Sequence, residues 1–294
     1  MVLFFVFSIK LRDILQLLLK DESEDEIEEI RMRANKPLII KCRDKEIVSE
    51  YVINIEDVRE TIELAVEHSV YAHSDEIKNG YITIEGGHRI GVCGQVVFEN
   101  GEIKTIKHIS SINIRVAHEI KGCADKLLQY ILSDNGIDNT LIVSSPGCGK
   151  TTLLRDIIRQ LSNAGTTIGL VDERGEVAAG YLGIPQNDVG IRTDVLSFCK
   201  KSEGMIMLIR SMAPDVVVAD ELGGNEDIMA LEHAGNSGCK VIATVHGQTI
   251  MEIPGELSRH FSKFIVIDRV AGWRRYRVFD GNHQLLDTVE VNGG

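Results

Sequence analysis

The spacing of apolar residues divides the chain into two stretches of different character. Residues 2–9 form an apolar run that reads as a buried strand or a helix start, with a membrane-surface or partner contact as the other reading. Over 11–20 (LRDILQLLLK), apolar positions 11, 14, 15, 18 and 19 recur at helical spacing. Residues 37–42 and 47–53 read as short strands, and 58–70 as an amphipathic helix. Residues 81–84, 89–98 and 103–106 are β-rich, with breaks at Gly86-Gly87 and Asn100-Gly101. Asn-Gly between strand patterns signals a hairpin, because both residues tolerate positive φ. The pattern predicts an α+β domain over 1–135 with a small antiparallel sheet.

After residue 136 the pattern changes. Apolar runs at 140–143, 167–172, 216–219, 240–244 and 264–267 alternate with helical segments at 150–162, 203–212, 226–234 and 249–260. Near-continuous apolar strands separated by helices predict a parallel sheet covered on both faces. Met205, Leu208, Ile209 and Met212 share one face of helix 203–212 and are assigned to the core. Segments 274–279 and 284–291 flank Asp280-Gly281-Asn282 and predict a hairpin.

Length and composition change this picture little. A chain of 294 residues fits two domains at about 150 each. The run 2–9 is far short of the ~20 apolar residues a spanning helix needs. It also lacks the basic start and small-residue cleavage site of a signal peptide. The net charge of -12 argues against a sequence-independent nucleic-acid binder. Much of the acid sits in 21–29 (DESEDEIEE), which reads as a solvated helix face or linker, or as a partner-facing segment. Charge alone therefore leaves a nucleic-acid-dependent enzyme open. The six cysteines form no CxxC pair, so neither zinc nor a redox dithiol is suggested. Scattered single cysteines fit a reducing compartment, and the chain is expected to be cytoplasmic.

The chemistry concentrates in four stations. Residues 144–152 (SSPGCGKTT) follow a strand and open a helix, the context of a phosphate-binding loop. Ser145, Pro146, Gly147, Cys148, Gly149, Lys150, Thr151 and Thr152 are the candidate nucleotide-binding residues. Gly147 and Gly149 let backbone amides turn toward a polyphosphate, and the helix N-terminus adds partial positive charge. Lys150 is expected at the β- and γ-phosphates and Thr151 on Mg²⁺. Ser144 stands where GxxxxGK[ST] has its first glycine, a position that only tightens the turn. Second, the apolar strand 216–219 ends in Asp220-Glu221, a Walker B arrangement. Asp220 is expected to hold Mg²⁺ through water, with Glu221 as general base. Third, 241–247 (VIATVHG) reads as a strand between the Walker A and Walker B strands. It puts His246, and alongside it Thr244, near a γ-phosphate. Fourth, Asp172-Glu173-Arg174 ends the strand after the phosphate-loop helix. There Glu173 either touches the metal or its water, or is surface charge. The connection 174–202 is long for a compact domain, which marks it as functional.

These stations, in this order, resemble the secretion-type traffic ATPases of type II and type IV systems. In those a Walker A loop, an acidic box, a Walker B ending in Glu and a histidine box follow one another. Asp220 stands where those ATPases often have glycine, which leaves the division of labour between Asp220 and Glu221 open. Segments EEIRMRANKPL, SVYAHSDEIKNGYITIEGGHRIGVCG, ISSINIRVAHEIKGCAD, VDERGEVAAG, QNDVGIRTDVL and GMIMLIRSMAPDVVVADELGG resemble one branch, the stage III sporulation AA family of spore-forming Firmicutes. The resemblance implies an α/β chain: a RecA-like P-loop NTPase domain with a parallel sheet over 136–294, preceded by the smaller α+β domain. It implies an ATPase using ATP and Mg²⁺. The motor would energise a channel complex between mother cell and forespore, as a hexameric ring on the mother-cell side, peripheral to the membrane. Its partners would be further copies of itself and membrane proteins of that complex, not nucleic acid. A ring motor takes an arginine in trans, for which Arg89, Arg115, Arg192 and Arg210 are candidates, each equally able to make a structural salt bridge. Two other classes stay open. One is a nucleic-acid-stimulated RecA-like ATPase, suggested by Arg269, Arg274, Arg275 and Arg277 around Trp273. The other is a nucleotide-gated scaffold with little turnover.

Overall fold

The computed structural model describes residues 2–20, 22–23, 26–66, 74–134, 136–270 and 273–291. The chain forms two compact units, Met1–His118 with Ala179–Gln186, and Glu119–Ala178 with Asn187–Gly294.

In the first unit a 3₁₀ turn (Val2–Val6) leads into helix α1 (Ile9–Leu18). Strands β1 (Ile27–Arg33), β2 (Lys36–Cys42) and β3 (Glu46–Ile53) follow, then helices α2 (Ile55–Ala65) and α3 (Ser74–Lys78). Strands β4 (Tyr81–Thr83), β5 (Arg89–Glu99) and β6 (Glu102–Arg115) complete an antiparallel sheet in the order β3-β2-β1-β6-β5-β4. Asn100 and Gly101, at φ 53° and 83°, make the β5–β6 turn that Asn-Gly predicts. One face of the sheet, with Ile30, Met32, Ile82, Ile90, Ile112 and Ile114, is buried together with Leu3, Phe7, Leu11, Leu15 and Val58. The apolar start of the chain is thus a buried helical entry. The Asn54 side chain accepts from Asp57 N (2.9 Å) and Asp57 Oδ2 accepts from Asn54 N (2.9 Å), a reciprocal cap on α2.

The acidic run differs from its prediction. Glu28 and Glu29 lie in β1 and pair with Lys41 (2.7 Å) and Arg31 (2.6 Å), rather than lying on a solvated helix face or linker. Asp21, Glu24 and Asp25 fall outside the described residues, as do positions 67–70 of the predicted helix over 58–70.

In the second unit, helix α4 (Leu128–Ile131) and a two-stranded ribbon, β7 (Leu132–Ser133) and β8 (Gly136–Ile137), precede β9 (Thr140–Ser144). Helix α5 (Lys150–Asn163), strands β10 (Ile168–Asp172) and β11 (Thr193–Ser197), and helix α6 (Lys201–Met212) follow. Next come β12 (Val216–Ala219), α7 (Asn225–Asn236), β13 (Lys240–His246), α8 (Gly255–Ser258), β14 (Lys263–Val270), β15 (Trp273–Asp280) and β16 (Leu285–Val291). They build a mostly parallel α/β sheet in the order β11-β10-β12-β13-β9-β14-β15-β16, in which the β14–β15 and β15–β16 pairings are antiparallel. Leu153, Leu154, Ile157 and Leu161 of α5 pack on one face against Ile142, Leu170, Val218 and Ile242. Met205 and Leu208 of α6 and Ala230, Leu231 and Ala234 of α7 pack on the other, against Val143, Val171, Val217 and Ala243. Coverage on both faces is why every residue of β9, β10 and β12 is buried and why these strands read as apolar runs.

Three local expectations change. The helix over 249–260 is a 3₁₀ turn, Ile250–Glu252, then the four-residue α8, because Pro254 between them cannot continue a helix. Strand β11 sits inside the predicted long connection. It is a half-buried edge strand paired only with β10, so it carries no apolar run. Met212 is exposed at the end of α6, whereas Met205 and Leu208 are buried. Among the described residues no helix is long and apolar enough to cross a membrane.

Candidate nucleotide-binding site

The strand order gathers the four stations. Strand β13 lies between β9 and β12, and β10 flanks β12, so their carboxyl ends are neighbours. His246 pairs in register with Ser144, Ala243 with Ala219, and Ala219 with Val171. Ligands of open α/β sheets bind at this edge.

Ser145, Pro146, Gly147, Cys148 and Gly149 form the loop from β9 to α5, and Lys150, Thr151 and Thr152 begin the helix. Gly147 and Gly149 hold φ of 74° and 96°, a left-handed backbone that glycine adopts without penalty. The first amides of α5 have no partner within the helix and point, with its positive end, at whatever the loop encloses.

Lys150 is 6% exposed. Its Nζ donates to Ser144 O (3.2 Å) and to His246 Nδ1 (2.8 Å). Burial pulls the Lys150 pKa below its ordinary value, against the opposing pull of Glu221 and Asp220. An ammonium can only donate, so His246 Nδ1 is the acceptor and Nε2 carries the hydrogen. That Nε2 lies 3.0 Å from Glu221 Oε1, and Arg174 Nη1 lies 2.9 Å from Glu221 Oε2. A continuous polar chain therefore runs Lys150, His246, Glu221, Arg174.

Asp220 is held by two hydroxyls. Thr151 Oγ1 donates to its Oδ2 (2.9 Å) and Thr244 Oγ1 to its Oδ1. The pair Thr151 and Asp220 offers adjacent hard oxygen donors, the kind Mg²⁺ takes while keeping several waters. These residues therefore fit that ion. Glu173 pairs with Lys201 of α6 and lines a cleft with Asp172, Arg174, Asp220 and Glu221. Asp172, 1% exposed, accepts from the amides of Glu176 (2.9 Å), Val177 (3.2 Å) and Ala178 (2.8 Å) and so shapes the following loop. Burial raises its pKa despite those three bonds.

Arg89 and Arg115 lie in the other unit, opposite each other across β5 and β6. Arg115 Nε is 3.5 Å from Glu29, and the Arg89 guanidinium is 4.0 Å from the Tyr81 ring centre. With Arg31 and Arg33 they line a cavity of about 440 Å³ in that unit. Arg192 donates to Ser162 O (3.1 Å). In the basic cluster, Arg275 and Arg277 share Asp268 (3.2 and 2.9 Å). Arg274 lies against the phosphate loop, its Cζ 3.3 Å from where a β-carbon on Gly149 would be.

Sequence reasoning did not single out Lys201 or the role of Arg174. Neither sits at a motif spacing; each finds its carboxylate through the fold. The sequence shows Arg274 as part of a basic cluster, and the β14–β15 hairpin is what brings it to the loop.

The fold and this constellation define a phosphate-loop α/β protein of secretion-ATPase architecture. Over 90% of the chain and 81% of the other, it superposes on the pilus retraction motor PilT with bound ADP (TM-score 0.59, 16% identity). Over 91% and 81% it superposes on the ATPase DotB of Legionella pneumophila (TM-score 0.58, 14% identity). The chain belongs to the sporulation stage III protein AA family, whose profile matches residues 3–282. It is 40% identical over 260 residues to stage III sporulation protein AA of Bacillus subtilis (strain 168), covering 84% of each chain. It is 28% identical over 240 residues to protein SEEDLING PLASTID DEVELOPMENT 1 of Arabidopsis thaliana, 80% of this chain but 32% of that one.

Proposed function

We propose that this chain is an ATP-hydrolysing motor that energises a secretion-like channel complex between mother cell and forespore. In this reading it works as a hexameric ring, peripheral to the membrane on the mother-cell side, against membrane proteins of that complex. Family membership and the shared fold support the setting. The observation that carries the chemistry is the polar chain from Lys150 through His246 to Glu221 beside the Thr151–Asp220 pair, drawn from three strand ends.

The loop 145–152 cradles the polyphosphate with the backbone amides of its residues other than Pro146. Lys150 spends two of its three protons on Ser144 and His246, which leaves one for a phosphate oxygen. Thr151, and Asp220 through water, would hold Mg²⁺, which when bound would neutralise phosphate charge. Glu221 takes a proton from the water that attacks the γ-phosphorus as the bond to the ADP oxygen breaks. His246, fixed by Lys150, orients Glu221, and Glu173, in the same cleft as Asp220, would meet the water of a bound metal. Arg89 and Arg115 of a neighbouring copy answer the charge that develops on the transferred group. The sharing of Asp268 by Arg275 and Arg277 weighs against the nucleic-acid-stimulated reading.

Lys150→Ala is expected to abolish binding of a fluorescent ATP analogue. Glu221→Gln is expected to bind it normally and stop turnover. Wild-type hydrolysis by a folded Glu221→Gln protein would refute the assigned chemistry.

A further inference from the structure

The end of β12 holds a backbone conformation that its side chains do not explain. Glu221 has φ 57°, the left-handed region, which is unfavourable for a residue with a β-carbon. Strained residues persist only where neighbours over-determine them. Here the neighbour is Thr244, fully buried one residue beyond the Ala219–Ala243 register pair. Its hydroxyl does two things at once. The oxygen accepts the Glu221 backbone N–H (2.8 Å), and the proton goes to Asp220 Oδ1. Its carbonyl accepts Leu222 N (2.8 Å). Three successive residues after β12 are therefore tied to one threonine.

We propose that Thr244 is a positioning residue that sets both Walker B carboxylates, rather than a contact of the γ-phosphate. The inference rests on the assignment of Asp220 and Glu221 above. By capturing the Glu221 amide, the hydroxyl turns the chain so that the Glu221 carboxylate meets His246. By donating to Asp220 Oδ1, it leaves Oδ2 facing Thr151. A hydroxyl is the smallest group that donates and accepts from one atom. Valine has the same shape and does neither. It leaves the half-buried Glu221 amide and an Asp220 carboxylate oxygen without these partners and frees Glu221 to relax out of the left-handed region.

The test compares Thr244→Ser and Thr244→Val with wild type and Glu221→Gln. It reads steady-state ATP hydrolysis, affinity for a fluorescent ADP analogue with and without Mg²⁺, and thermal melting. Serine is expected to stay within about threefold of wild-type kcat. Valine is expected to lose about 10²-fold in kcat, the scale of a 1 Å misplacement. Its ADP-analogue affinity without Mg²⁺ should be unchanged, while the gain on adding Mg²⁺ shrinks. If the valine protein does not fold, Thr244→Cys, a weak donor and acceptor of similar size, takes its place with the same expectations. Full turnover in the valine or cysteine protein overturns the proposal, as does a folded serine protein that is inactive. With wild type active and Glu221→Gln inactive, those results strike the clamp alone. An active Glu221→Gln strikes the parent assignment and the clamp with it.

Discussion

Asp156 anchors the helix that carries Lys150 and Thr151, and its removal is the sharpest stability test of the second unit. The residue is 2% exposed in α5. Its Oδ2 accepts from Ala124 N (2.8 Å) and Gln160 Nε2 (3.0 Å), and its Oδ1 from Arg159 Nε (3.0 Å) and Nη2 (2.5 Å). Asp156→Ala leaves the buried Ala124 amide unpaired, which costs about 1–3 kcal/mol. It also strips Arg159 of its counter-ion, and breaking a buried pair costs about 3–5 kcal/mol in all. For a unit of this size that lowers Tm by about 6–20 °C. Asp156→Asn keeps an acceptor for Ala124 but turns an amide donor toward Arg159 and loses the charge, so a smaller cost than for alanine, about 1–3 kcal/mol, is expected. Burial pushes the Asp156 pKa up, but Ala124, Arg159, Gly122 and Gln160 outweigh it and the net shift is downward. A depressed carboxylate contributes stability above its unfolded value, near 4, and loses it as pH falls through the folded value. The advantage of wild type over Asp156→Asn should therefore shrink as melts are repeated from about pH 6 down toward pH 3. An Asp156→Ala protein that melts within about 1 °C of wild type would refute the reasoning.

Two further substitutions probe packing and capping. A β-carbon on Gly204 of α6 would lie 2.7 Å from Val171 Cγ1 and 2.8 Å from Cys199 Sγ. Gly204→Ala should therefore destabilise by about 1–3 kcal/mol from overpacking, less the ~1 kcal/mol that alanine gains in a helix. A stabilised variant in thermal melts would show that α6 can move off β10. In the first unit, Asn54→Ala removes the reciprocal cap of α2 and should cost about 1 kcal/mol by urea denaturation.

How much was legible depended on how local each signal was. The phosphate loop and its flanking strand and helix are contiguous, so their residue types disclose them. Strands β9, β10 and β12 are buried on both faces and announce themselves as apolar runs. Strand β1 went unread because a bulge between Ile27 and Glu29 breaks its alternation, so burial falls at 27, 30 and 32. Strand β11 is an edge with no apolar face to display. The left-handed Glu221 is invisible in sequence, since nothing local marks a non-glycine residue for positive φ.

The sequence by itself determined the parallel α/β class, the phosphate loop, and the two carboxylates and histidine that end neighbouring strands. These follow from periodicity and contiguous motifs, which are properties of a few residues at a time. Only the tertiary structure decided which groups meet. It set Arg174 on Glu221, Lys201 on Glu173, Thr244 between Asp220 and the Glu221 amide, and Arg274 on Gly149. Those pairings join residues far apart in the chain, and strand order and register, fixed by the packing of whole layers, bring them within hydrogen-bonding reach.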